Sequence, residues 1–271
     1  MAFDLSAITQ PKNLPLGIIL YAPVGWGKTD FGLQSPLNVF LPTEEGWGNR
    51  DLTGINSFPL ITNYQEMNEA VDSLLDEDHQ FRTVVIDTLS NLQKSILNEA
   101  LKLHNLTAKV TARNADEVMF RAIYKQAANL WHPLLAKLDR LRKEKRMMVI
   151  LLAHVGIISV DQPDVDKYDR FCIDVDKDAQ PILEKWADII LFGTRNSRFR
   201  KVGQGIMETR KGIAGEQEDP RIVRTEERVT HVAKNRERLP YEIFMEDGKQ
   251  FQTIFNLIYP PKKEKDVKES E

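Results

Sequence analysis

The stretch that decides the fold is residues 16–29, in which an apolar run, LGIILY, leads into a glycine-containing turn, APVGWGKT. The turn matches the phosphate-binding loop pattern, with Ala22 at the position where the strict form has its first glycine. Gly25 and Gly27 allow backbone angles that aim successive N–H groups at phosphate oxygens, and Lys28 can reach the outer phosphates. The alternative is a turn with an incidental lysine, but the strand before it and the helix after it favour the phosphate loop.

The rest of this region is expected to serve the same site. The hydroxyl of Thr29 would ligate Mg²⁺, and the helix that opens at Lys28 would present its positive N-terminal end to the phosphates. Trp26 either packs over phosphate or covers a neighbouring surface, and the sequence does not decide between the two. The expected nucleotide-binding set within this region is Ala22, Pro23, Val24, Gly25, Trp26, Gly27, Lys28, Thr29 and Phe31.

An acidic residue for the metal follows another apolar strand. Residues 83–86 (TVVI) lead to Asp87, which would hold Mg²⁺ through water at the carboxyl edge of that strand. An apolar strand followed by aspartate is common by itself, but downstream of a phosphate loop it predicts a metal role. Many P-loop ATPases place a glutamate directly after this aspartate. Here the next residue is Thr88, so the general base must come from another strand end.

Candidates for the general base and for a phosphate sensor follow two other predicted strands. Glu44 and Glu45 lie just beyond strand 38–41, and one of them could polarise the attacking water; we favour Glu44, the alternative being two surface glutamates. His154 ends the most apolar run and could donate a hydrogen bond to the γ-phosphate. The alternative for His154 is a core histidine bound to a backbone carbonyl. The predicted catalytic set is Lys28, Glu44 and His154.

Apolar strands alternate with amphipathic helices, which predicts an α/β fold with a mainly parallel central sheet flanked by helices. After Thr194, glycines and charges among apolar residues predict C-terminal β-hairpins. We expect one domain over 1–259 and a disordered charged tail over 260–271. The predicted strands are 16–21, 38–41, 58–62, 83–86, 147–153 and 189–192, and the predicted helices are 28–33, 64–75, 89–103 and 119–141, the last with a kink or restart at Pro133 left open.

Composition excludes several classes of protein. The 271 residues are 42% hydrophobic and 28% charged, the balance of a folded chain. The single cysteine, Cys172, excludes an intrachain disulfide and a multi-cysteine metal site. Residues 1–10 lack the order of a signal sequence and the apolar run 147–160 is too short for a bilayer, so we expect a cytoplasmic protein without a membrane partner. With a net charge of −3, any nucleic-acid binding needs a local patch.

The phosphate loop, a glutamate after the second strand, Asp87 without an adjacent glutamate and a polar residue ending a very apolar strand form a set. This set resembles the RecA-like recombinase ATPases, and more narrowly the small phage-encoded RecA-like proteins that act as single-strand annealing recombinases, over residues 14–245. The resemblance implies a RecA-like P-loop ATPase core that hydrolyses ATP with Mg²⁺ and is stimulated by DNA. It also implies work in phage DNA recombination, in the bacterial host cytoplasm.

The partners come from the same resemblance. It implies a protein that assembles on single-stranded DNA and promotes annealing or strand pairing, with a single-stranded DNA-binding protein as a further partner. It implies a homo-oligomer, either a ring or a filament, with ATP at the subunit interfaces. Residues 233–240 (AKNRERLP) look like the basic element near the end of that family's core. Lys234 and Arg236 would then reach the ATP of the neighbouring subunit; the alternative is a solvated, charged strand end.

A basic stretch offers a DNA-binding surface. Residues 194–211 carry six basic residues against one acid, with an aromatic residue among them, as a single-strand groove needs. The alternative is a solvated hairpin. Residues 155–180 carry seven aspartates against three basic residues, a net charge of −4 that would repel phosphate. The predicted DNA-binding residues are Arg195, Arg198, Phe199, Arg200 and Lys201.

Two other functions fit the same motifs. A hexameric helicase-like or packaging-type motor on this core would show ATP-driven unwinding or translocation of DNA. A nucleotide-gated interaction protein would bind ATP tightly, hydrolyse little of it and ignore DNA. The sequence holds no base-recognition motif of the Asn-Lys-x-Asp form, so it leaves the choice between ATP and GTP open.

Overall fold

Twelve strands and six α-helices are present in the parts of the chain that the computed structural model describes, which are residues 13–118, 121–163, 165–196, 199–202, 209–212 and 220–261. The strands are β1 Gly17–Tyr21, β2 Asn38–Pro42, β3 Thr83–Asp87, β4 Met148–Ala153, β5 Val155–Gln162, β6 Val165–Ile173, β7 Ile189–Arg195, β8 Phe199–Val202, β9 Thr209–Gly212, β10 Arg221–Arg224, β11 Lys234–Asn235 and β12 Glu242–Phe244. The helices are α1 Lys28–Leu33, α2 Tyr64–Asp76, α3 Leu89–Ala108, α4 Ala122–Glu144, α5 Gln180–Trp186 and α6 Gln250–Ile258, and a 3₁₀ helix spans Ala115–Glu117.

Five parallel strands in the order β2-β3-β4-β1-β7 form the larger part of an eight-stranded sheet, with β2 at its edge. The register places Tyr21 of β1 opposite Ala153 of β4 and Phe192 of β7. It also places Pro42 of β2 opposite Asp87 of β3. The carboxyl ends of β1, β2, β3 and β4 therefore meet at one edge of the sheet, and the residues that follow these strands come together there.

Helices cover both faces of the sheet, as the predicted α/β fold requires. On one face the buried side chains of α2, α3 and α4, such as Met67, Leu92 and Leu138, join one apolar cluster with alternate strand residues. On the other face, Phe31 of α1 and Phe251 of α6 join a second cluster with the remaining strand residues. The central strands are buried on both faces, which explains their continuous apolar runs.

Antiparallel strands extend the sheet beyond β7. Strands β10 and β11 both pair with β7, and β12 pairs with β10. Strands β8 and β9 form a separate hairpin. The mostly parallel sheet with antiparallel C-terminal strands confirms the predicted fold class, although only part of the C-terminal β-structure forms a separate hairpin.

Two predicted elements differ from the structure. Residues 58–62 do not form a strand, although the N–H groups of Phe58 and Ile61 donate to the Phe40 and Pro42 carbonyls of β2. Pro42 has no N–H to donate in return, so the ladder does not continue. The helix predicted over 119–141 is α4, which runs through Pro133 without interruption. The acidic stretch 155–180 contains the antiparallel β5–β6 hairpin and α5, which we did not predict.

Parts of the sequence predictions lie outside the described residues. These are residues 1–12, the first two residues of the helix predicted over 119–141, residues 197–198 (with Arg198) and 203–208 of the basic stretch, and the greater part of the predicted tail (262–271). Within the described ranges, none of the helices combines the length and the apolar character needed to cross a bilayer.

Candidate nucleotide site

The turn between β1 and α1 has the backbone shape that a phosphate loop requires. Gly25 and Gly27 have φ angles of +77° and +103°, which residues with a side chain rarely adopt. Lys28 is the first residue of α1 and is only 8% exposed. Its Nζ donates hydrogen bonds to the carbonyl oxygens of Ala22 at 2.9 Å and Pro23 at 3.2 Å. The lysine charge therefore lies directly against the loop.

Thr29 and Asp87 form the part of the site that fits a metal ion. The Thr29 hydroxyl donates to Asp87 Oδ2 at 2.8 Å. Asp87 is 7% exposed, and its other carboxylate oxygen is buried without a hydrogen-bond partner. Burial raises the pKa of Asp87, and the nearby Glu44 charge raises it further. A divalent cation would supply the partner that the second oxygen lacks, and oxygen ligands are those that Mg²⁺ prefers.

Glu44, not Glu45, is turned into this site. Glu44 Oε2 accepts a hydrogen bond from Asn91 Nδ2 at 2.8 Å and lies 3.4 Å from His154 Nε2. Glu45 is exposed to solvent. Only Glu44 lines the small pocket that also contains Thr29 and Asp87. Of the two candidates, Glu44 is therefore the one whose side chain lies beside Thr29 and Asp87.

His154 lies between the lysine and the glutamate. Its Nδ1 is 3.5 Å from Lys28 Nζ, and its Nε2 is 3.4 Å from Glu44 Oε2. An ammonium group can only donate, so Nδ1 must accept and Nε2 must carry the hydrogen in the neutral ring. This tautomer directs the Nε2 hydrogen towards Glu44. The ring makes these contacts rather than the carbonyl contact of a core histidine.

Two residues of the first turns of α3 support this arrangement and were missed from the sequence. Ser90 Oγ accepts a hydrogen bond from the His154 backbone N–H at 3.2 Å, and Asn91 holds Glu44. Asn91 Oδ1 in turn accepts from Lys94 Nζ at 2.9 Å. Their signal was a pair of polar residues in the helix that follows Asp87.

Two side chains of the predicted nucleotide-binding set are packed in the core. The Phe31 side chain is fully buried and meets the Phe251 ring edge-on, so it has no surface to offer a nucleotide. Trp26 is also buried, and its Nε1 donates to the Thr194 carbonyl of β7 at 2.9 Å. Trp26 therefore covers the neighbouring strand, the second of the two options that the sequence left open. Val24, in contrast, is exposed in the loop.

Lys234 and Arg236 lie away from the phosphate loop of their own chain. Lys234 of β11 pairs with Ile190, near the start of β7, whereas the loop follows the opposite end of β1. Lys234 Nζ donates to the carbonyl of Glu184 at 2.6 Å, and Arg236 Nη1 forms a 3.1 Å ion pair with Asp188. A role for the two residues at a neighbouring subunit stays a prediction.

The predicted DNA-binding residues fall around the last part of β7 and on the separate hairpin. Arg195 ends β7, and Phe199, Arg200 and Lys201 lie on β8, which pairs in register with β9. The cross-strand partners of Arg200 and Lys201 are Lys211 and Arg210, so the hairpin brings basic positions opposite each other. DNA binding by this hairpin stays a prediction.

Comparison with known protein families agrees with the phosphate-loop geometry. The family model described as an AAA domain matches residues 14–237, which run from just before β1 to just after β11. No curated protein matches the chain. The match includes the phosphate loop, β3 with Asp87 and β4, and it covers more than half of the sequence. The chain therefore belongs to the AAA-domain family, an AAA-type family of P-loop ATPases.

Proposed function

We propose that this P-loop ATPase hydrolyses ATP with Mg²⁺ and uses it to act on single-stranded DNA, as a recombinase that promotes annealing or strand pairing in phage DNA recombination. The observation that carries the hydrolysis part is the line of contacts from Lys28 through His154 to Glu44, beside the Thr29–Asp87 pair. A lysine that can bind phosphate (Lys28), an acidic residue that can bind a metal (Asp87) and a candidate general base (Glu44) therefore lie close together.

Each residue of this group has a chemical task. Lys28 would neutralise the charge that develops on the outer phosphates as the terminal bond breaks. Thr29 and Asp87 would hold Mg²⁺, which when bound neutralises phosphate charge. Glu44 would orient the attacking water and accept its proton, with Asn91 fixing the carboxylate. A γ-phosphate would compete with Glu44 for the Nε2 hydrogen of His154, so the histidine would register its presence.

A matched pair of glutamate variants tests the hydrolysis part. Glu44→Gln should lower kcat for ATP about 100-fold or more, because general base catalysis contributes that much, while Mg²⁺-ATP still binds. Glu45→Gln should leave kcat unchanged, since Glu45 is exposed. Lys28→Ala should abolish nucleotide binding or turnover. Full ATPase activity in Lys28→Ala would overturn the proposed hydrolysis, and equal loss in both glutamate variants would overturn the role of Glu44.

The DNA part rests on the basic hairpin. The chain has a net charge of −3, so the cationic positions of 194–211 are a local exception rather than a general property. Pairing of β8 with β9 keeps Arg200 and Lys201 on one short element beyond β7. Several basic residues next to an aromatic residue in the sequence, here Phe199, are what binding to phosphates and stacking on a base require.

Charge reversal tests this surface in the presence of Mg²⁺ and ATP. The double variant Arg200→Glu/Lys201→Glu should weaken binding of a fluorescent single-stranded oligonucleotide, measured by anisotropy. It should also lower the slope of log affinity against log salt by about 1 to 2, since two phosphate contacts are lost. Lys167→Glu, on the exposed acidic hairpin β5–β6, is the matched control. Absence of salt-sensitive binding, or of DNA-stimulated ATPase activity, in the wild type would overturn the recombinase function and leave the ATPase.

We also propose a homo-oligomer in which Arg236 reaches the ATP of the next subunit, releasing Asp188. Mixing two inactive variants tests this directly. Lys28→Ala and Arg236→Ala should each be inactive alone, and mixing them should restore part of the ATPase rate. The restored sites would combine an intact Lys28 with an intact Arg236 from the neighbour. Full activity of Arg236→Ala alone, or no recovery on mixing, would overturn the role of Arg236.

A further inference from the structure

The C-terminal helix α6 packs along α1, the helix that begins at the phosphate loop. The matched AAA domain ends at residue 237, so α6 lies outside it. Phe251 and Ile254 are buried in the cluster that contains Phe31. The rings of Phe31 and Phe251 meet edge-on with centroids 5.4 Å apart. Helix α6 therefore covers the apolar side chains of this cluster next to α1.

Polar contacts join the same two helices. Gln34, the residue that caps the C-terminus of α1, donates from Nε2 to Gln250 Oε1 at 2.5 Å. Its Oε1 accepts from the backbone N–H of Phe251 at 2.9 Å. Gln250 is 3% exposed, and its Nε2 lies 4.0 Å from the position that a Cβ would take at Gly27. The first turn of α6 thus reaches both the residue before α1 and the residue that ends it.

This contact matters because α1 is short. A helix of six residues has little stability of its own, since the cost of nucleation is spread over few hydrogen bonds. Its orientation must come from what packs against it. The amide of Gln34 also satisfies one of the N–H groups that a helix N-terminus leaves unpaired, so α6 depends on α1 in return. Lys28 and Thr29 lie in the first turn of α1, so a shift of α1 would move them.

We propose that α6 is a positioning element of the nucleotide site, and that its docking through Gln34 and Gln250 is coupled to nucleotide binding at the phosphate loop. The inference rests on the proposed nucleotide binding. Coupling of this kind is reciprocal: if docked α6 tightens nucleotide binding, then bound nucleotide tightens α6 by the same factor. Gln34 acts through Lys28 and Thr29 and does not itself contact the phosphates.

Three full-length variants separate coupling from plain stability. Gln34→Leu removes both hydrogen bonds at similar volume. Gln34→Glu still accepts from Phe251 and from the Gln250 amide once that amide turns over, so it is the conservative rescue. Gln252→Leu places the same substitution on the exposed side of α6 and is the matched control. Removal of α6 as a whole is avoided because it would expose the cluster around Phe251.

The measurements are the dissociation constant of a fluorescent, non-hydrolysable ATP analogue with Mg²⁺, the ATPase parameters, and amide hydrogen exchange of residues 250–258. In the wild type, the analogue should slow exchange in α6. Gln34→Leu should weaken binding about fivefold, as expected for the loss of a hydrogen-bonded contact. It should raise KM with kcat nearly unchanged, and it should remove the slowing of exchange. Gln34→Glu and Gln252→Leu should behave like the wild type.

The outcomes distinguish this inference from the function on which it rests. If the wild type does not bind the analogue, the proposed nucleotide function fails and the inference fails with it. If the wild type binds but Gln34→Leu binds equally well, while its melting temperature falls, α6 only stabilises the fold and the inference alone is overturned. Unchanged α6 exchange on binding would overturn it as well.

Discussion

At the scale of single residues, the site contains a buried carboxylate whose ionised form is only partly compensated by hydrogen bonds. Asp87 is buried, and only one of its oxygens has a hydrogen-bond partner. Burial raises its pKa above the ordinary value, so the ionised form is disfavoured in the folded state. The penalty is fully present at pH values above the folded pKa and disappears as the pH falls below the unfolded one. A cation at this point would offset the penalty, which is how a functional residue comes to reduce stability.

The amide variant Asp87→Asn should therefore be more stable than the wild type and at the same time inactive. Without Mg²⁺ and nucleotide at neutral pH, we expect the free energy of unfolding to rise by about 1 kcal/mol, because Asn still accepts from Thr29 without a buried charge. Urea unfolding at pH 7 and at pH 4 measures this, and the gain should shrink at the lower pH. A variant less stable than the wild type at pH 7 would contradict the account.

Site residues could be predicted from the sequence where they lie at the carboxyl end of a predicted strand. Glu44 and His154 follow strands and Asp87 ends one. Parallel strands bring those ends to one edge, so the structure brings these residues together beside Lys28. Asn91 could not be found in this way, because its contact with Glu44 depends on the rotation of α3 about its axis.

The buried position of the Phe31 side chain could not be predicted either. Proximity to the phosphate loop in sequence suggested proximity to the nucleotide, but α1 turns that side chain inward towards α6. The direction in which a side chain of this six-residue helix points depends on α6, which lies far along the chain. A local sequence motif gives no information about such a partner.

At the scale of elements, β7 supports the phosphate loop through a glycine. A Cβ at Gly193 would lie 2.7 Å from a ring carbon of Trp26 and 2.8 Å from the Ala22 Cβ. The Trp26 indole occupies the space that a side chain on β7 would need. The loop therefore rests on a neighbouring strand, and its shape is not a property of residues 22–29 alone.

Gly193→Ala should consequently displace Trp26. We expect a loss of about 1–3 kcal/mol in the free energy of unfolding, the usual cost of overpacking, together with weaker nucleotide binding. A double-mutant cycle isolates the contact, because in a Trp26→Ala background the same substitution should cost much less. Equal costs of Gly193→Ala in both backgrounds, measured by urea unfolding, would show that the indole is not the obstacle.

Elements were predictable where periodicity was strong and not where composition concealed it. Helix α2 begins at the predicted residue, since its apolar face recurs every three or four positions, and α1 begins where the phosphate-loop motif places it. The β5–β6 hairpin was missed because residues 155–160 (VGIISV) show no strict alternation and the aspartates that follow resemble a loop. The strand predicted over 58–62 does not form, because Pro42 of β2 has no N–H to continue its ladder.

At the scale of the whole molecule, a buried histidine joins distant parts of the chain. The His231 ring stacks on Phe192 of β7, and its Nε2 lies 3.1 Å from the Glu226 carbonyl. Phe192 also stacks on Tyr21, at the end of β1, and on Phe171 of β6. Burial and, after it, the nearby Arg224 charge together lower the pKa of His231 to about 4. The ring is therefore neutral in the folded protein at neutral pH.

Stability should depend on pH through this residue. Because the folded pKa lies below the unfolded value of 6.5, its contribution is complete above pH 6.5 and is lost as the pH falls towards 4. The loss should reach up to about 3 kcal/mol, at about 1.4 kcal/mol per pH unit. His231→Gln, which can still donate to Glu226 but does not titrate, should have a flatter stability profile over this range. Parallel profiles in chemical unfolding would contradict this assignment.

The fold class followed from the alternation of strands and helices, but the order of strands in the sheet did not. Strand β4 lies between β1 and β3 although more than a hundred residues separate it from β1 in the chain. Which strands lie side by side depends on how the helices and strands pack together over the whole chain, and a short segment of sequence does not show this.

That strand order also determines when the site can exist during folding. Lys28, Glu44, Asp87 and His154 follow or end four different strands, and each pair of neighbouring strands closes a long loop of chain. Contacts between distant parts of a chain form slowly, because the loop entropy is lost before the contact gains anything. No early fragment of the protein holds more than part of the site. The rate at which nucleotide binding returns during refolding should therefore report the rate at which the sheet is completed.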